Sequence, residues 1–205
     1  LIDKSNHHVF QPLLYQVAVS ALSPADISAP VRTILKNQKN VEVILGEVTE
    51  IDKSGKTVTV DGQEVKFDFL VLAPGSRHSY FGKDNWEENA PGLKTIKDAL
   101  NIRENMLLSF EEAENTAFLS GRNLPVQFVV IGGGPTGVEI AGSLAEIATK
   151  TLRKDFRNID TRQTKIILVE GSGKLLGAYD SPLNDIAAEN LRGMGVEVRL
   201  NTMVT

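Results

Sequence analysis

The feature that most constrains the fold of this chain is a glycine-rich turn between a strand and a helix. Residues 128–139 read FVVIGGGPTGVE, in which three glycines stand at the spacing G-x-G-x-x-G. The first glycine permits a tight bend, the second lets a diphosphate approach the backbone, and the third lets the helix pack on the strand. Amides at the helix start, with the positive end of the helix dipole, then face the diphosphate. The predicted dinucleotide-binding residues of this turn are Gly132, Gly133, Gly134, Pro135 and Gly137.

The second strand of the same predicted unit, residues 165–169, ends in an acidic residue, Glu170. An acid at this position accepts hydrogen bonds from the hydroxyls of the adenosine ribose. Because a carboxylate there would repel the additional phosphate of NADP, the sequence favours NAD. Lys174 is close enough in sequence to weaken that repulsion.

The segment between these two signals is longer than usual. Glu170 lies 38 residues beyond Gly132 (170 − 132), whereas about 20 is typical. The excess lies in residues 150–164, which are rich in Lys and Arg. Two interpretations of this insert stay open: a helix extension with a solvated loop, or a docking surface for a partner or an anionic lipid.

The second half of the chain alternates strand and helix, which predicts a parallel sheet with right-handed crossovers. Thr95 is expected to cap a helix, and the polar residues 111–123 are expected to separate that helix from the glycine unit. The buried stripe of this helix is predicted to be Ile96, Leu100, Met106, Leu107 and Phe110. The later predicted elements are strand 128–131, helix 136–152, strand 165–169, helix 182–191 and strand 196–200.

The first half is predicted to contain a small antiparallel β-meander, at about residues 41–69. Alternating apolar residues begin it at Val41, and Asp61-Gly62 is a strong turn signal between its later strands. The apolar run 69–73 that follows is typical of a strand buried on both faces of a parallel sheet. Ser23-Pro24 and Pro30 are expected to begin short helices.

Composition excludes several classes of function. The net charge of the 205 residues is −4, so the chain lacks the basic excess that binding to nucleic acid requires. It contains no cysteine, which excludes a thiolate metal site, a disulfide framework and a cysteine nucleophile in this stretch. The three histidines are not spaced as metal ligands, and no apolar run reaches the roughly 18 residues of a membrane-spanning helix. Redox chemistry is therefore expected to depend on a bound cofactor, with no metal site.

Longer stretches carry a resemblance to a known family. The segments LIDKSNHHVFQPLLYQVA, LSPADISAP, LVLAPGSRHSYFG, APGLKT and IGGGPTGVEIAG resemble, in this order, the type II NADH dehydrogenases. These are NADH:quinone oxidoreductases of the pyridine nucleotide-disulfide oxidoreductase superfamily. The resemblance covers essentially the whole chain and indicates an internal fragment of such an enzyme.

The resemblance implies an α/β fold with two Rossmann-like dinucleotide-binding domains of the glutathione-reductase type, both truncated, and the small β-meander. Residues 1–92 would be a partial FAD-binding domain that contains the meander, and residues 93–205 an NADH-binding domain truncated at its C-terminus. Asp3, which follows an apolar strand stub as Glu170 follows strand 165–169, then predicts a second glycine turn upstream of Leu1.

The resemblance also implies roles for residues of the first domain. Asp3 would hold the adenosine ribose of FAD with Lys4 beside it, and the Val48 backbone would meet the adenine. Ala73 and Gly75 would lie beside the FAD. They flank Pro74, where the family usually has threonine, and this departure removes a hydroxyl and one backbone donor.

In the second domain, the glycine turn and Glu170 fall at the NADH site of the family. Glu139 matches a family glutamate placed near the flavin and the nicotinamide, and it is the candidate catalytic residue. It is expected to position the nicotinamide or to move a proton. The alternative is an ordinary polar residue in the first turn of a helix, where a carboxylate suits the dipole.

The activity that the resemblance implies is hydride transfer from NADH to FAD, followed by electron transfer to a quinone. Two alternatives stay open: an FAD and NAD(P)H reductase whose acceptor is a ferredoxin-like protein or oxygen, and a non-catalytic module that binds NADH and FAD. The family also implies a cytoplasmic enzyme, peripheral on the inner face of the membrane, that attaches through a C-terminal segment beyond this chain, and it allows a homodimer. The 205 residues alone are expected to be inactive and to retain FAD poorly.

Overall fold

The computed structural model of the chain describes residues 1–204. The strands are β1 (Ile2–Asp3), β2 (His7–Val9), β3 (Ser28–Pro30), β4 (Ile44–Leu45), β5 (Val48–Asp52), β6 (Thr57–Val60), β7 (Gln63–Lys66), β8 (Gln127–Ile131), β9 (Lys165–Val169) and β10 (Val196–Arg199). The α-helices are α1 (Leu14–Ala18), α2 (Val31–Leu35), α3 (Ile96–Ser120), α4 (Pro135–Glu146) and α5 (Leu183–Gly193). Short 3₁₀ turns lie at Gln11–Leu13, Pro24–Asp26, Asp84–Trp86, Leu152–Lys154 and Thr161–Gln163, and a π-helical turn at Ile147–Thr151. No helix formed by residues 1–204 combines the length and the apolar character that crossing a membrane requires.

The chain divides into two compact units. One contains Leu1–Pro12 and Ser23–Lys94, and the other contains Leu13–Leu22 and the chain from Thr95 onward. Helix α1, which the sequence analysis placed in the first domain, therefore packs within the second unit, chiefly against α3.

The first unit contains three small sheets. Strand β1 pairs in parallel with β4, β2 pairs antiparallel with β3, and β5, β6 and β7 form an antiparallel meander. Asp61 and Gly62 both have positive φ, 47° and 81°, between the paired residues Val60 and Gln63. This is the backbone of a tight two-residue hairpin, so the predicted Asp-Gly turn is confirmed.

Two predictions about this unit are wrong. The alternating residues from Val41 do not form the first strand of the meander: Ile44–Leu45 pairs with β1 and the meander begins at Val48. The run 69–73 forms no strand, and Phe69 and Val71 are 94% and 88% exposed. A strand buried on both faces needs paired neighbours and covering helices. Within residues 1–204, the parallel sheet of this unit is only two residues long in each strand and does not extend to the run.

The second unit is built on a parallel sheet in the order β10-β9-β8. The central strand β9 has a neighbour on each edge, and its side chains are buried from Ile166 to Val169. Helix α4 follows β8 and presents an apolar stripe to the sheet at the spacing i, i+3, i+4, i+7. The stripe consists of Ala141, Leu144 and Ala145 of α4, and it continues at Ala148 in the π-helical turn that follows.

Helix α3 begins at a capping box in which Thr95 accepts a hydrogen bond from the amide of Asp98 and the Asp98 carboxylate accepts one from the amide of Thr95. The predicted start is confirmed, but the helix continues through the polar residues 111–120 to Gly121, whose φ of 67° ends it. Met106 and Phe110 are buried as predicted, whereas Leu100 is 42% exposed. The stripe continues at Ala113, so residues 111–120 of the spacer predicted at 111–123 belong to the helix.

The insert at 150–164 prolongs α4 through the π-helical turn and a 3₁₀ turn, and it then loops back onto α3. Phe156 packs on Phe110, with ring centroids 5.8 Å apart. Glu114 of α3 accepts hydrogen bonds from three consecutive loop amides, those of Arg157, Asn158 and Ile159, at 3.0 to 3.2 Å, and from the Asn158 side chain at 2.7 Å. The helix extension of the first interpretation is present, and hydrogen bonds to the Glu114 carboxylate hold the loop that follows it on α3.

Replacing Glu114 by alanine is expected to lower the free energy of unfolding by about 1 to 2 kcal/mol, because three amides lose their acceptor. Partial burial by itself raises the pKa of Glu114, but the hydrogen bonds from residues 157–159 outweigh it and hold the pKa below the ordinary 4.5. The stabilisation is therefore fully present above pH 4.5 and is lost as the pH falls through the lowered pKa. Urea unfolding of the wild type and of Glu114→Ala at several pH values measures this difference.

The exposed Glu112 on the same helix supplies the matched control, and Glu112→Ala should leave the unfolding energy nearly unchanged. Hydrogen exchange at amides 157–159 should accelerate in Glu114→Ala alone. Equal stability of the two variants at pH 7 would contradict the assignment of Glu114 as the fastening group.

Candidate functional site

The glycine turn lies where β8 ends and α4 begins. Gly132 has φ of 103°, which side-chain-bearing residues rarely adopt, and its amide donates to the carbonyl of Val169 at 2.8 Å. The chain thus bends directly after the last residue of β8, while the bend remains bonded to the end of β9.

The two later glycines of the motif meet different surroundings. A Cβ added to Gly137 would collide with the carbonyl oxygen of Gly132, so the start of α4 can approach the turn this closely only with glycine there. A Cβ on Gly134 would meet no atom within 4 Å. Gly134 is also the N-cap of α4, and no side chain caps the helix. The first amides of α4 therefore have no side-chain capping partner, as at helix starts that bind anions.

Glu170 stands at the end of β9 and contacts the glycine turn directly. Its Oε2 accepts a hydrogen bond from the amide of Gly133 at 2.6 Å, and its Oε1 accepts one from the amide of Ser172 at 2.7 Å. Partial burial by itself raises the pKa of Glu170, but these two amide bonds, together with the Ser172 side chain, outweigh it and hold the pKa below the ordinary 4.5. The site therefore presents a fixed negative charge beside the turn at neutral pH.

The loop after Glu170 packs against the glycine turn and stabilises the contact between the turn and Glu170. No role was predicted for this loop from the sequence. The side chain of Leu175 is fully buried and lies against Gly133, while the amide of Leu176 donates to the Gly133 carbonyl at 2.7 Å. From the other side, Thr202 donates its amide to the carbonyl of Glu170. The apolar pair Leu175-Leu176 in an otherwise polar loop was the signal that could have revealed this contact.

Glu139 lies in the first turns of α4, on an exposed position. Partial desolvation raises the pKa of the Glu139 carboxyl above the ordinary 4.5, and this side chain forms no hydrogen bond or ion pair with residues 1–204. The carboxylate is thus free to take or release a proton at a pH closer to neutrality than that of an ordinary glutamate.

Of the site residues predicted in the first unit, the structure brings only some close to one another. Asp3 is the last residue of β1. Its carboxylate accepts a hydrogen bond from the amide of Ser5 at 2.8 Å, and its backbone carbonyl accepts one from the amide of Gly46 at 3.0 Å. The β1–β4 pair therefore brings Asp3, beside the exposed Lys4, near the start of the meander at Val48.

Ala73 and Gly75 do not join a sheet. Both are exposed in the irregular segment that begins at residue 67, and Gly75 has φ of 74°. The structure therefore brings Glu170 onto the glycine turn, whereas it leaves this pair outside any sheet of residues 1–204.

Three parallel strands in this order, a crossover helix that starts at a glycine turn, and an acid at the end of the second strand define a Rossmann-type α/β dinucleotide-binding fold. The family model for pyridine nucleotide-disulphide oxidoreductases matches residues 1–205. The chain belongs to that family.

Individual proteins of known name are also similar to the chain. Two type II NADH:quinone oxidoreductases of Mycobacterium tuberculosis are 43% and 44% identical to the chain over 209 residues. Each alignment covers all of this chain, but only 45% of the first relative and 44% of the second. The structure of NDH2 from Plasmodium falciparum in complex with NADH aligns with a TM-score of 0.82 and 25% identity, over 98% of this chain and 42% of that one. The sulfide:quinone oxidoreductase of Aquifex aeolicus shares the fold, with a TM-score of 0.77 and 20% identity over all of this chain and 45% of that one. The chain spans about half the length of the curated relatives it matches.

Alanine at the two later glycines should separate folding from nucleotide binding. Gly134→Ala is expected to keep the stability of the wild type and to weaken NADH binding about tenfold or more, because the new methyl group enters the space predicted for the diphosphate. Gly137→Ala is expected to weaken binding and to lower stability together, since its methyl group would displace α4 from the turn. Urea unfolding and fluorescence titration with NADH measure the two effects.

Gly142 on the same helix is the control. A Cβ there would make an ordinary contact with Leu191 at 3.5 Å, so Gly142→Ala should stabilise the protein by about 0.5 to 1 kcal/mol and leave NADH affinity unchanged. Unimpaired NADH binding by Gly134→Ala would contradict the placement of the diphosphate.

Proposed function

We propose that this chain is part of an FAD-dependent NADH:quinone oxidoreductase, a type II NADH dehydrogenase, and that its second unit binds NADH. The observation that carries the proposal is the contact between the Glu170 carboxylate and the Gly133 amide at 2.6 Å. In this arrangement the acid would accept the ribose hydroxyls and the adjacent turn would accept the diphosphate. The names of the mycobacterial relatives and of the Plasmodium structure support the choice of substrate.

The residues of the turn fit a dinucleotide. Gly134 has open space where a side chain would stand, and the uncapped amides at the start of α4 are available to a diphosphate. Gly132 and Gly137 give the turn its shape, and Pro135 occupies the first helical position, where its missing amide is not needed. Glu170 would accept the ribose hydroxyls and, as a fixed charge, would disfavour the phosphate of NADPH.

The first unit would contribute part of the FAD site. Asp3 would hold the adenosine ribose with Lys4 beside it, the Val48 backbone would meet the adenine, and Ala73 and Gly75 would lie beside the cofactor. The exposed carboxylate of Asp3, held in orientation by the amide of Ser5, suits a ribose partner. On this proposal residues 1–92 belong to the FAD-binding domain and residues 93–205 to the NADH-binding domain.

When bound, FAD would supply the redox chemistry by accepting a hydride from NADH and passing two electrons to a quinone. The residues of this chain would orient the nicotinamide nucleotide through the turn and Glu170, so that donor and acceptor are held in contact. Glu139 would position the nicotinamide or hold and release a proton at its carboxylate. No side-chain nucleophile is needed for this task.

For the whole enzyme, the electron acceptor and the location in the cell are proposed from the family resemblance. The quinone would bind outside residues 1–204, and the enzyme would act as a peripheral protein at the cytoplasmic face of the membrane through a segment beyond this chain. A homodimer fits the same proposal.

Anaerobic titration of the full-length protein tests the reaction. NADH should bleach the flavin absorbance near its visible maximum, and a soluble quinone should restore it, because reduced flavin is reoxidised by that acceptor. Recovery with a ferredoxin-like protein or with oxygen in place of quinone would contradict the proposed acceptor. Flavin that NADH fails to bleach would instead indicate a binding module without turnover.

Replacing Glu139 by glutamine tests the catalytic assignment. We expect NADH-dependent flavin reduction to slow about tenfold or more, because the variant loses the group that would position the nicotinamide or supply the proton that reduced flavin takes up with the hydride. The pH profile of the wild type should contain an inflection above 4.5, from the raised pKa of Glu139, and the variant should lack it. Glu146→Gln on the same helix, which removes only an exposed pair with Lys150, is the control and should leave rate and profile unchanged. Unchanged kinetics in Glu139→Gln would assign this glutamate an ordinary surface role.

A further inference from the structure

Asn184, at the start of α5, has a buried polar side chain to which the proposed function gives no role. It is only 4% exposed, and with Thr161 it is one of the two polar residues buried within residues 1–204. Its side-chain amide donates a hydrogen bond to the carbonyl of Tyr179 at 2.9 Å. A buried polar group requires such a partner, and here the partner is the backbone of the loop between β9 and α5.

A chain of hydrogen bonds continues from Tyr179 to the glycine turn. The amide of Tyr179 donates to the carbonyl of Leu176 at 2.8 Å, and the amide of Leu176 donates to the carbonyl of Gly133 at 2.7 Å. Leu176 has a φ of 51°, a conformation that residues with a side chain rarely adopt. Strained backbone of this kind persists where surrounding contacts impose it, and both backbone polar groups of Leu176 are held by hydrogen bonds.

The last bond in this chain fixes the direction of an amide in the turn. The carbonyl of Gly133 and the N–H of Gly134 belong to one planar trans peptide, so they point in opposite directions. Because Leu176 holds the carbonyl, the N–H of Gly134 is directed away from the loop. Gly134 is the N-cap of α4, and its amide therefore has no acceptor inside the helix. In the proposed site this amide is one of the donors to the diphosphate.

We propose that Asn184 is a positioning residue for the diphosphate of NADH. It acts through the carbonyl of Tyr179 and the amide of Leu176, and it sets the orientation of the Gly134 amide. The inference rests on the proposed NADH site and adds a determinant of its affinity that lies outside the glycine motif. Without the donor of Asn184, the peptide between Gly133 and Gly134 is less constrained, and binding has to order it.

A role of Asn184 in folding alone predicts a different pattern of losses. If Asn184 only stabilised the fold, its replacement would weaken every ligand of the site to the same degree. A role through the Gly134 amide weakens ligands that carry the diphosphate and spares the adenosine part, because Glu170 is held by the amides of Gly133 and Ser172. 5′-ADP and adenosine differ by this diphosphate, so they separate the two roles.

Titration of the flavin-loaded, full-length protein with 5′-ADP and with adenosine tests the proposal. Leucine has nearly the size of asparagine but no donor, so Asn184→Leu should keep α5 packed while it removes the bond to Tyr179. We expect the variant to bind 5′-ADP about tenfold more weakly than the wild type, and adenosine within about twofold of it. The KM for NADH should rise about tenfold while kcat stays within about twofold, because the lost interaction does not involve the reacting atoms.

Asn190→Leu is the matched control, because Asn190 is exposed on the same helix, and it should leave both affinities unchanged. In the Gly134→Ala background, Asn184→Leu should cause little further loss of 5′-ADP binding, since both substitutions act on the same contact. Asn184→Ala, which also lacks the donor, repeats the titrations if the leucine variant does not fold.

Equal losses for 5′-ADP and adenosine, unchanged binding of 5′-ADP, or losses that add fully in the double variant would each overturn the inference. Wild-type flavin that NADH does not bleach would count against the proposed function alone, because the two titrations report only the adenosine diphosphate part of the site.

Discussion

The hydrogen bond from the Gly133 amide to the Glu170 carboxylate is the interaction on which the rest of the site depends. It joins the ends of β8 and β9 at the edge of the sheet where both strands terminate. One residue earlier, Gly132 is bonded to Val169 at the same edge. The turn is thus fixed to its neighbouring strand before any ligand is present, and a preorganised site loses less entropy when it binds.

The surrounding core holds this contact in place. Leu168, two residues before Glu170 in the central strand, is fully buried. Leu175, five residues after Glu170, is also fully buried and contacts Gly133 of the turn. Helix α4 adds a third constraint, since Gly137 allows its first turn to approach the carbonyl of Gly132. Because the helix is anchored to the sheet by a stripe of small and apolar residues, its uncapped amides keep a constant direction.

Local patterns predicted the elements that are specified by residues close to each other in sequence. The strand at 165–169, the capping box at Thr95 and the Asp61-Gly62 hairpin all follow from residues within a few positions of each other. The run 69–73 shows the limit of this reasoning, because its composition suits a buried strand but residues 1–204 give it no covering sheet. The end of α3 was also misjudged: the polar residues 111–120 are helical, and the buried stripe that includes Phe110 continues among them at Ala113.

The sequence by itself determined the glycine turn, the acid at the end of β9 and the alternation that makes a parallel sheet, since spacing and residue type encode these directly. Only the tertiary structure decided how the acid is used. It showed that Glu170 is held by two amides, one from the turn and one from the following loop, and that Leu175 fixes that loop beneath Gly133. Such contacts join residues that are distant along the chain, and their geometry depends on the packing of β8, β9 and α4, which no local pattern specifies.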